Sequence, residues 1–221
     1  MDDAEEEPLQ LSEEAFRALR EFHAEQEKTP DDAEGLPISE NWQLSQFWYD
    51  ESTSKFLAEE VRKSSQNGDW IACLSCPSLY KSLVEVIGRH TEEDKNLTVF
   101  LFEYDERFLS LAGDKFVQYD FNHPEAIPET LLRKFQYIAA DPPFLSQDCF
   151  SKTAELCTKL GTSSTTKILF CTGEIMEENA KHTLGLNRTS FNPRHKSKLS
   201  NTFASFTNYP PAVLNDHVQN E

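Results

Sequence analysis

The chain has 221 residues, 38 of them Asp or Glu against 21 Lys or Arg, giving a formal net charge of −17 and a pI near 4.7. That length fits one domain with a full core plus tails, and no apolar run approaches the ~20 residues of a membrane span. Phosphate binding is electrostatic, so a chain this acidic is a poor general nucleic-acid binder and is better matched to a basic protein.

The acid is concentrated at the front. Residues 1–35 hold 13 acids and 3 bases, a net of −10, which leaves −7 for the remainder. Residues 1–8 read as an acidic, disordered tail and not as a signal peptide. Residues 9–37 read as a helix and a linker. Ser12 can cap a helix with Glu13 and Glu14 in its first turn, and Leu11, Ala15, Phe16, Leu19 and Phe22 form an apolar stripe. Lys28–Pro37 is polar and Pro-bounded. One α/β domain is expected over residues 38–209, with a tail over 210–221.

Asn41–Tyr49 is rich in aromatics (Trp42, Phe47, Trp48, Tyr49) and can pack over the end of a sheet. Asp50 can cap a helix running to about Ser64, with Asn67-Gly68 ending it. Strands and helices then alternate. Trp70–Leu74 is strand one, and Ser78–Ile87 is the crossover helix after it. Leu97–Phe102 is strand two, Phe116–Tyr119 strand three and Phe135–Ala140 strand four. Leu145–Leu160 is a helix stopped by Gly161, Lys167–Cys171 is strand five, and a further helix lies near Glu174–Leu184. Leu186–Phe191 and Thr202–Tyr209 suit an antiparallel pair. The expected fold is a doubly wound, Rossmann-like sheet of seven strands, five and then the pair, with an N-terminal helical extension.

Open α/β sheets bind ligands at the carboxyl ends of their strands, and acids stand there in this chain. Glu103-Tyr104-Asp105 closes strand two and Asp120 closes strand three. Carboxylates at these positions can accept bonds from ribose hydroxyls, although Asp105 reads more simply as the cap of the next turn. Strand four stops at Asp141-Pro142-Pro143-Phe144. Pro142 has no N–H for the ladder and pushes Asp141 into extended backbone. The two prolines offer carbonyls without donors, and an ionised Asp141 only accepts. Such a site suits a partner that brings hydrogens, an NH2 or NH3+ group. Phe144 adds a face that can stack on a base or attract a cation.

Five cysteines, an odd number, suit a reducing compartment such as the cytoplasm. Cys73 and Cys76 have C-x-x-C spacing but no second ligand pair, so they read as buried thiols and no metal is expected. Residues 181–215 contain no Asp or Glu but carry Lys181, Arg188, Arg194, Lys196 and Lys198, a basic face read as solvated. His195 reads as a surface histidine and is left outside the catalytic set.

Asp141-Pro142-Pro143-Phe144 resembles the [Asn/Asp]-Pro-Pro-[aromatic] motif of amino-methyltransferases that use S-adenosylmethionine. Two further blocks join it, Asn41-Trp42-Gln43-Leu44-Ser45-Gln46-Phe47-Trp48-Tyr49 and Phe102-Glu103-Tyr104-Asp105. Together they make the chain, from about Leu9 to Tyr209, similar to the elongation factor 1-alpha lysine methyltransferase 1 family, earlier taken for adenine-N6 DNA methyltransferases. The resemblance implies a monomeric enzyme that methylates lysine Nε of elongation factor 1-alpha. It also implies Glu103 as the ribose acid, Asp120 near the adenine, and Gln46 and Trp48 closing the cofactor site. Asp141, Pro142 and Phe144 become the catalytic set that orients the acceptor nitrogen, with Asp141 also reaching the cofactor.

The loop after strand one, Ser75-Cys76-Pro77-Ser78-Leu79, departs from the usual glycine-rich form. S-adenosylmethionine has no pyrophosphate to cradle, and Ser75 and Pro77 are the expected contacts there. Two rival readings use the same residues. One is an adenine-N6 methyltransferase of DNA or RNA, which needs a basic groove. The other is a non-catalytic binding protein that has lost its cofactor.

Overall fold

The computed structural model describes residues 38–89, 96–197, 199 and 201–215. The acidic tail, the helix expected after Ser12 and the Lys28–Pro37 linker lie outside the described residues, as do residues 216–221.

Seven strands form one sheet: β1 (Trp70–Leu74), β2 (Thr98–Glu103), β3 (Phe116–Gln118), β4 (Tyr137–Ala140), β5 (Lys167–Gly173), β6 (Asn187–Arg188) and β7 (Phe203–Thr207). Their order is β3-β2-β1-β4-β5-β7-β6. The first five are parallel, whereas β7 runs antiparallel between β5 and β6. The order reverses between β1 and β4, so the carboxyl ends of these two strands flank the crevice where doubly wound sheets hold ligands.

The inner parallel strands are largely apolar because helices cover both faces of the sheet. The helices are α1 (Glu51–Ser64), α2 (Pro77–Arg89), α3 (Leu109–Ala112), α4 (Gln147–Leu160) and α5 (Glu177–Leu184). One face gathers Ala72, Leu74, Phe100, Phe102, Ile138 and Phe170 with Phe150 and Ala154 of α4 and Ala180 of α5. Strand side chains alternate, so Ile71, Cys73, Leu101 and Ala139, all fully buried, point the other way. The α1 and α2 helices pack together, and α2 packs on β1 and β2.

Helix starts follow local chemistry. Asp50 caps α1 by accepting from the Thr53 N–H at 2.6 Å, and Ser146 caps α4 by accepting from Cys149 N–H at 3.2 Å. Several boundaries differ from the sequence reading by a residue or more. The α1 helix ends at Ser64 as expected, but Asn67-Gly68 is not what ends it. The Ser65 backbone and hydroxyl both donate to the Val61 carbonyl, at 3.0 and 2.7 Å, and end the helix first. Gly68 then takes φ +86 in the turn that follows. Strand four begins at Tyr137, because Phe135 instead bridges Gly161. Helix α5 starts at Glu177 after a 3-10 turn over Glu174–Met176. Strand six is only Asn187–Arg188, since the Thr189 and Ser205 hydroxyls meet at 2.6 Å and Ser205 also donates to the Phe191 carbonyl at 2.7 Å.

Gly161 stops α4 as expected, but not through an unusual φ. A Cβ there would lie 2.9 Å from Thr166 Oγ1, so the position needs glycine for close approach.

Glu60 on α1 is completely buried and accepts from five donors. These are Ser64 Oγ (2.6 Å), Tyr209 Oη (3.1 Å) and the backbone N–H groups of Ala212 (3.1 Å), Val213 (2.7 Å) and Leu214 (3.4 Å). A buried carboxylate is tolerated when its lone pairs are met in this way. Its effect is to fasten the segment after β7 to α1.

All five cysteines are free and buried, including the Cys73 and Cys76 pair. Among the described residues no helix is long and apolar enough to cross a membrane.

Candidate active site

A cavity of about 520 Å³ opens at the carboxyl edge of the sheet. Ser75 and Pro77 enter it from the turn after β1, Glu103 from β2 and Asp120 from the turn after β3. Asp141, Pro142 and Phe144 enter after β4, and Gln46 and Trp48 close over them from the aromatic segment. Every candidate site residue read from the sequence therefore lines one cavity.

The glycine-free loop after β1 solves its geometry with a serine. Ser75 adopts φ +53, the left-handed region that L side chains avoid, and its N–H donates to the Phe102 carbonyl at 2.8 Å. Ser45, at φ +51, lines the same cavity. Two of the three non-glycine residues with positive φ among the described residues thus border this site, where held strain concentrates.

Glu103 is 6 % exposed and its carboxyl is pushed up to about 7, by burial above all, while a weak bond from Gln46 Nε2 at 3.5 Å opposes the shift. The same Gln46 amide donates to Asp105 at 3.1 Å, and its own Oε1 is buried with no hydrogen-bond partner. Asp105 does cap the next turn, accepting from the Arg107 N–H at 3.0 Å. The Arg107 guanidinium holds its carboxyl below the usual range. Asp120 accepts from the Asn122 N–H at 2.8 Å, which leaves its other oxygen for a ligand.

Asp141 is anchored by its N–H, which donates to the Leu74 carbonyl at 3.0 Å across the switch point. Its carboxyl is pushed up to about 7, first by burial and then by the charge of Glu103, with the Tyr49 hydroxyl acting the other way. Phe144 is 41 % exposed, and its ring centre lies 5.8 Å from that of Phe121. The site is thus a pocket of two acids whose carboxyls burial raises towards neutrality, with exposed aromatic faces at its mouth. It can accept hydrogen bonds from paired hydroxyls on the β2–β3 side and from an amine on the β4 side.

The sequence reading of His195 needs correction. His195 is half-buried and lines the cavity, with its ring 5.0 Å from Tyr49 and 4.5 Å from Phe203. Burial lowers its pKa to about 4, so it is neutral at physiological pH. It arrives there because the segment before β7 clasps the aromatic segment. Tyr49 and His195 form an antiparallel bridge, the Lys196 N–H donates to the Trp48 carbonyl at 2.8 Å and the Asp50 N–H to the Arg194 carbonyl at 3.0 Å. Phe203 and Asn201 join the lining by the same route and carried no signal in the sequence. Phe121 and Asn122 also line the cavity, and their place directly after Asp120 could have marked them. The basic face is partly neutralised, as Arg188 pairs with Glu174 at 2.6 Å and Glu177 at 3.3 Å.

A family model described as probable N6-adenine methyltransferase matches residues 40–211. EEF1A lysine methyltransferase 1 of Mus musculus is 43 % identical over 216 residues, covering 95 % of this chain and 96 % of that protein. The Homo sapiens protein of the same name is also 43 % identical, over 93 % and 94 % of the two chains. The chain belongs to the EEF1A lysine methyltransferase 1 family. A Caenorhabditis elegans relative at 44 % identity, over 95 % of this chain and 97 % of its own, is named a protein-lysine N-methyltransferase. Membership makes this chain an enzyme of protein-lysine N-methylation. Among solved structures, a branched-chain polyamine synthase from Thermus thermophilus superposes with a TM-score of 0.53 at 15 % identity, over 86 % of this chain and 62 % of that one. At that identity the likeness speaks for the fold alone.

Proposed function

We propose that this chain transfers a methyl group from S-adenosylmethionine to a lysine Nε of elongation factor 1-alpha, acting as a cytoplasmic monomer. The observation that carries the proposal is the meeting, in one cavity, of Glu103 at the end of β2 with Asp141-Pro142-Pro143-Phe144 at the end of β4. A volume of about 520 Å³ lies in the range that holds a cofactor of this size. The buried, unpartnered Gln46 Oε1 and the buried Glu103 are the acceptors that ribose and adenine hydrogens need. Glu103, Asp120, Gln46, Trp48, Ser75 and Pro77 would hold the cofactor, and Asp141 would border both it and the acceptor. When bound, S-adenosylmethionine supplies an electrophilic methyl carbon on a cationic sulfonium.

The acceptor must arrive as a neutral amine. A lysine of ordinary pKa, near 10.4, is neutral in only about one molecule in a thousand at pH 7.4, a cost of roughly 4 kcal/mol. Desolvation in the cavity reduces that cost, whereas a fully ionised carboxylate beside the nitrogen restores it. Asp141, with a carboxyl pushed up to about 7, is a compromise. It is anionic enough to accept an N–H and aim the lone pair, and less able than an ordinary aspartate to trap the ammonium. The Pro142 carbonyl offers a second acceptor, and Phe144 a face for the alkyl-ammonium end.

The test is transfer of radiolabelled methyl groups to elongation factor 1-alpha and to DNA and RNA, with Asp141→Ala as control. Labelled lysine that disappears in the variant supports the proposal. Label on nucleic acid alone would move the chain to the adenine reading that shares the motif.

A further inference from the structure

The Tyr49 hydroxyl is one of four side-chain polar atoms that are buried without a hydrogen-bond partner among the described residues. Leaving such a group unpaired costs about 1–3 kcal/mol, so its presence beside a site asks for a task. Tyr49 is 3 % exposed and its place is fixed from both sides. Its backbone bridges His195, its ring packs on the His195 ring, and the neighbouring residues Trp48 and Asp50 are hydrogen-bonded to Lys196 and Arg194.

Three groups face this hydroxyl: Asp141 after β4, Cys171 of β5 and Cys76 in the turn after β1. Burial pushes both thiols up, which keeps them protonated near neutral pH, and Cys76 Sγ is committed to the Ala139 carbonyl at 3.6 Å. Asp141 is then the acceptor left for the phenol. We propose that Tyr49 is a positioning residue of the acceptor site, donating its hydroxyl hydrogen to one Asp141 oxygen so that the other is aimed at the acceptor nitrogen. The inference rests on the reading of Asp141 as the acceptor-site acid. The Tyr49 hydroxyl and Asp141 do not meet in a well-formed hydrogen bond in this structure, and catalytic hydrogen bonds commonly tighten only in the reacting complex. A carboxylate on a single bond can rotate, and a donor on one oxygen removes that freedom.

The test is Tyr49→Phe, which keeps the ring and removes only the hydroxyl. Melting temperature should stay equal to the parent's or rise, and cofactor affinity should stay within about twofold, while kcat falls roughly 10- to 100-fold with little change in KM. The acid limb of the kcat–pH profile should move to higher pH, because Asp141 loses a donor that favours its ionised form. Glu103 faces Asp141 from β2 and titrates in the same region, so a control is needed for it. That control is 3-fluorotyrosine placed at position 49 of the cofactor-free protein. Its fluorine resonance should step with pH as Asp141 ionises, and the step should vanish in Asp141→Asn. This measurement also stands if Tyr49→Phe does not fold. An unchanged kcat and acid limb in Tyr49→Phe, or a fluorine step that survives Asp141→Asn, overturns the proposal. A fully active Asp141→Ala instead overturns the acceptor-site reading beneath it.

Discussion

Replacing Glu103 by Gln should stabilise the cofactor-free protein at pH 8 while weakening its cofactor binding. Burial lifts this carboxyl from 4.5 to about 7, and each pH unit is worth about 1.4 kcal/mol. Holding Glu103 ionised in the empty fold therefore costs about 3 kcal/mol. Because the folded value lies above the ordinary one, the protonated acid favours the fold at pH 4.5 and below, and that contribution is lost as pH rises through about 7. Gln removes the charge and keeps the shape. At 2–4 °C per kcal/mol for a chain of this size, Glu103→Gln should melt up to about 6–12 °C higher than the parent at pH 8 and close to it at pH 5. Its cofactor affinity should fall roughly 10- to 150-fold, the worth of one charge-assisted bond to ribose. Differential scanning calorimetry at the two pH values, with and without S-adenosylmethionine, reads both effects. A variant less stable than the parent at pH 8 without cofactor would falsify the idea that this acid is held against its solvation preference.

Asp141→Ala should lower turnover by about 100-fold or more with a much smaller change in cofactor affinity, since the residue addresses the acceptor. Near-normal turnover would reduce Asp141-Pro142-Pro143-Phe144 to a turn. Ser75→Val places a β-branched side chain at φ +53 and should cost about 1–2 kcal/mol, whereas Ser75→Gly should be nearly neutral. Equal melting temperatures for the two variants would contradict the backbone geometry given for the loop. Glu60→Ala leaves its buried donors unmet and should cost at least about 3 kcal/mol, or about 6–12 °C in melting temperature. A drop of less than about 2 °C would show that the C-terminal segment is held by something else.

Most of the frame was legible because it is written locally. Apolar runs closed by acids or prolines marked the parallel strands, and Asp50 and Gly161 marked helix ends, each through a neighbour within a few residues. The acids of the site could be found for the same reason, since a strand's carboxyl end is visible in the chain and its function follows from sheet topology. What could not be read was long-range. Thr202–Tyr209 could be read as the antiparallel partner of Leu186–Phe191, but nothing in it says that β7 inserts between β5 and β6, and so nothing said that His195 and Phe203 reach the cavity. The loop after β1 lacks glycine, yet Ser75 in it adopts the conformation glycine usually supplies. Tyr49 looked like one aromatic among four, because an unpaired hydroxyl is a property of its surroundings and not of its spacing.

The position of β7 sets the order in which this protein can be made. A chain leaving the ribosome presents β1 to β5 before Phe203–Thr207 exists, so β5 waits with an open edge, the kind that recruits other strands. Glu60 waits as well, since its backbone partners lie more than 150 residues later. From Gly173 to Leu214 is about 40 residues, or roughly 2–8 s of synthesis. During those seconds the half-finished sheet has a sticky edge and a carboxylate that water must still solvate. The last inner strand to be made is the one that closes it, and premature association or chaperone capture would act in that interval.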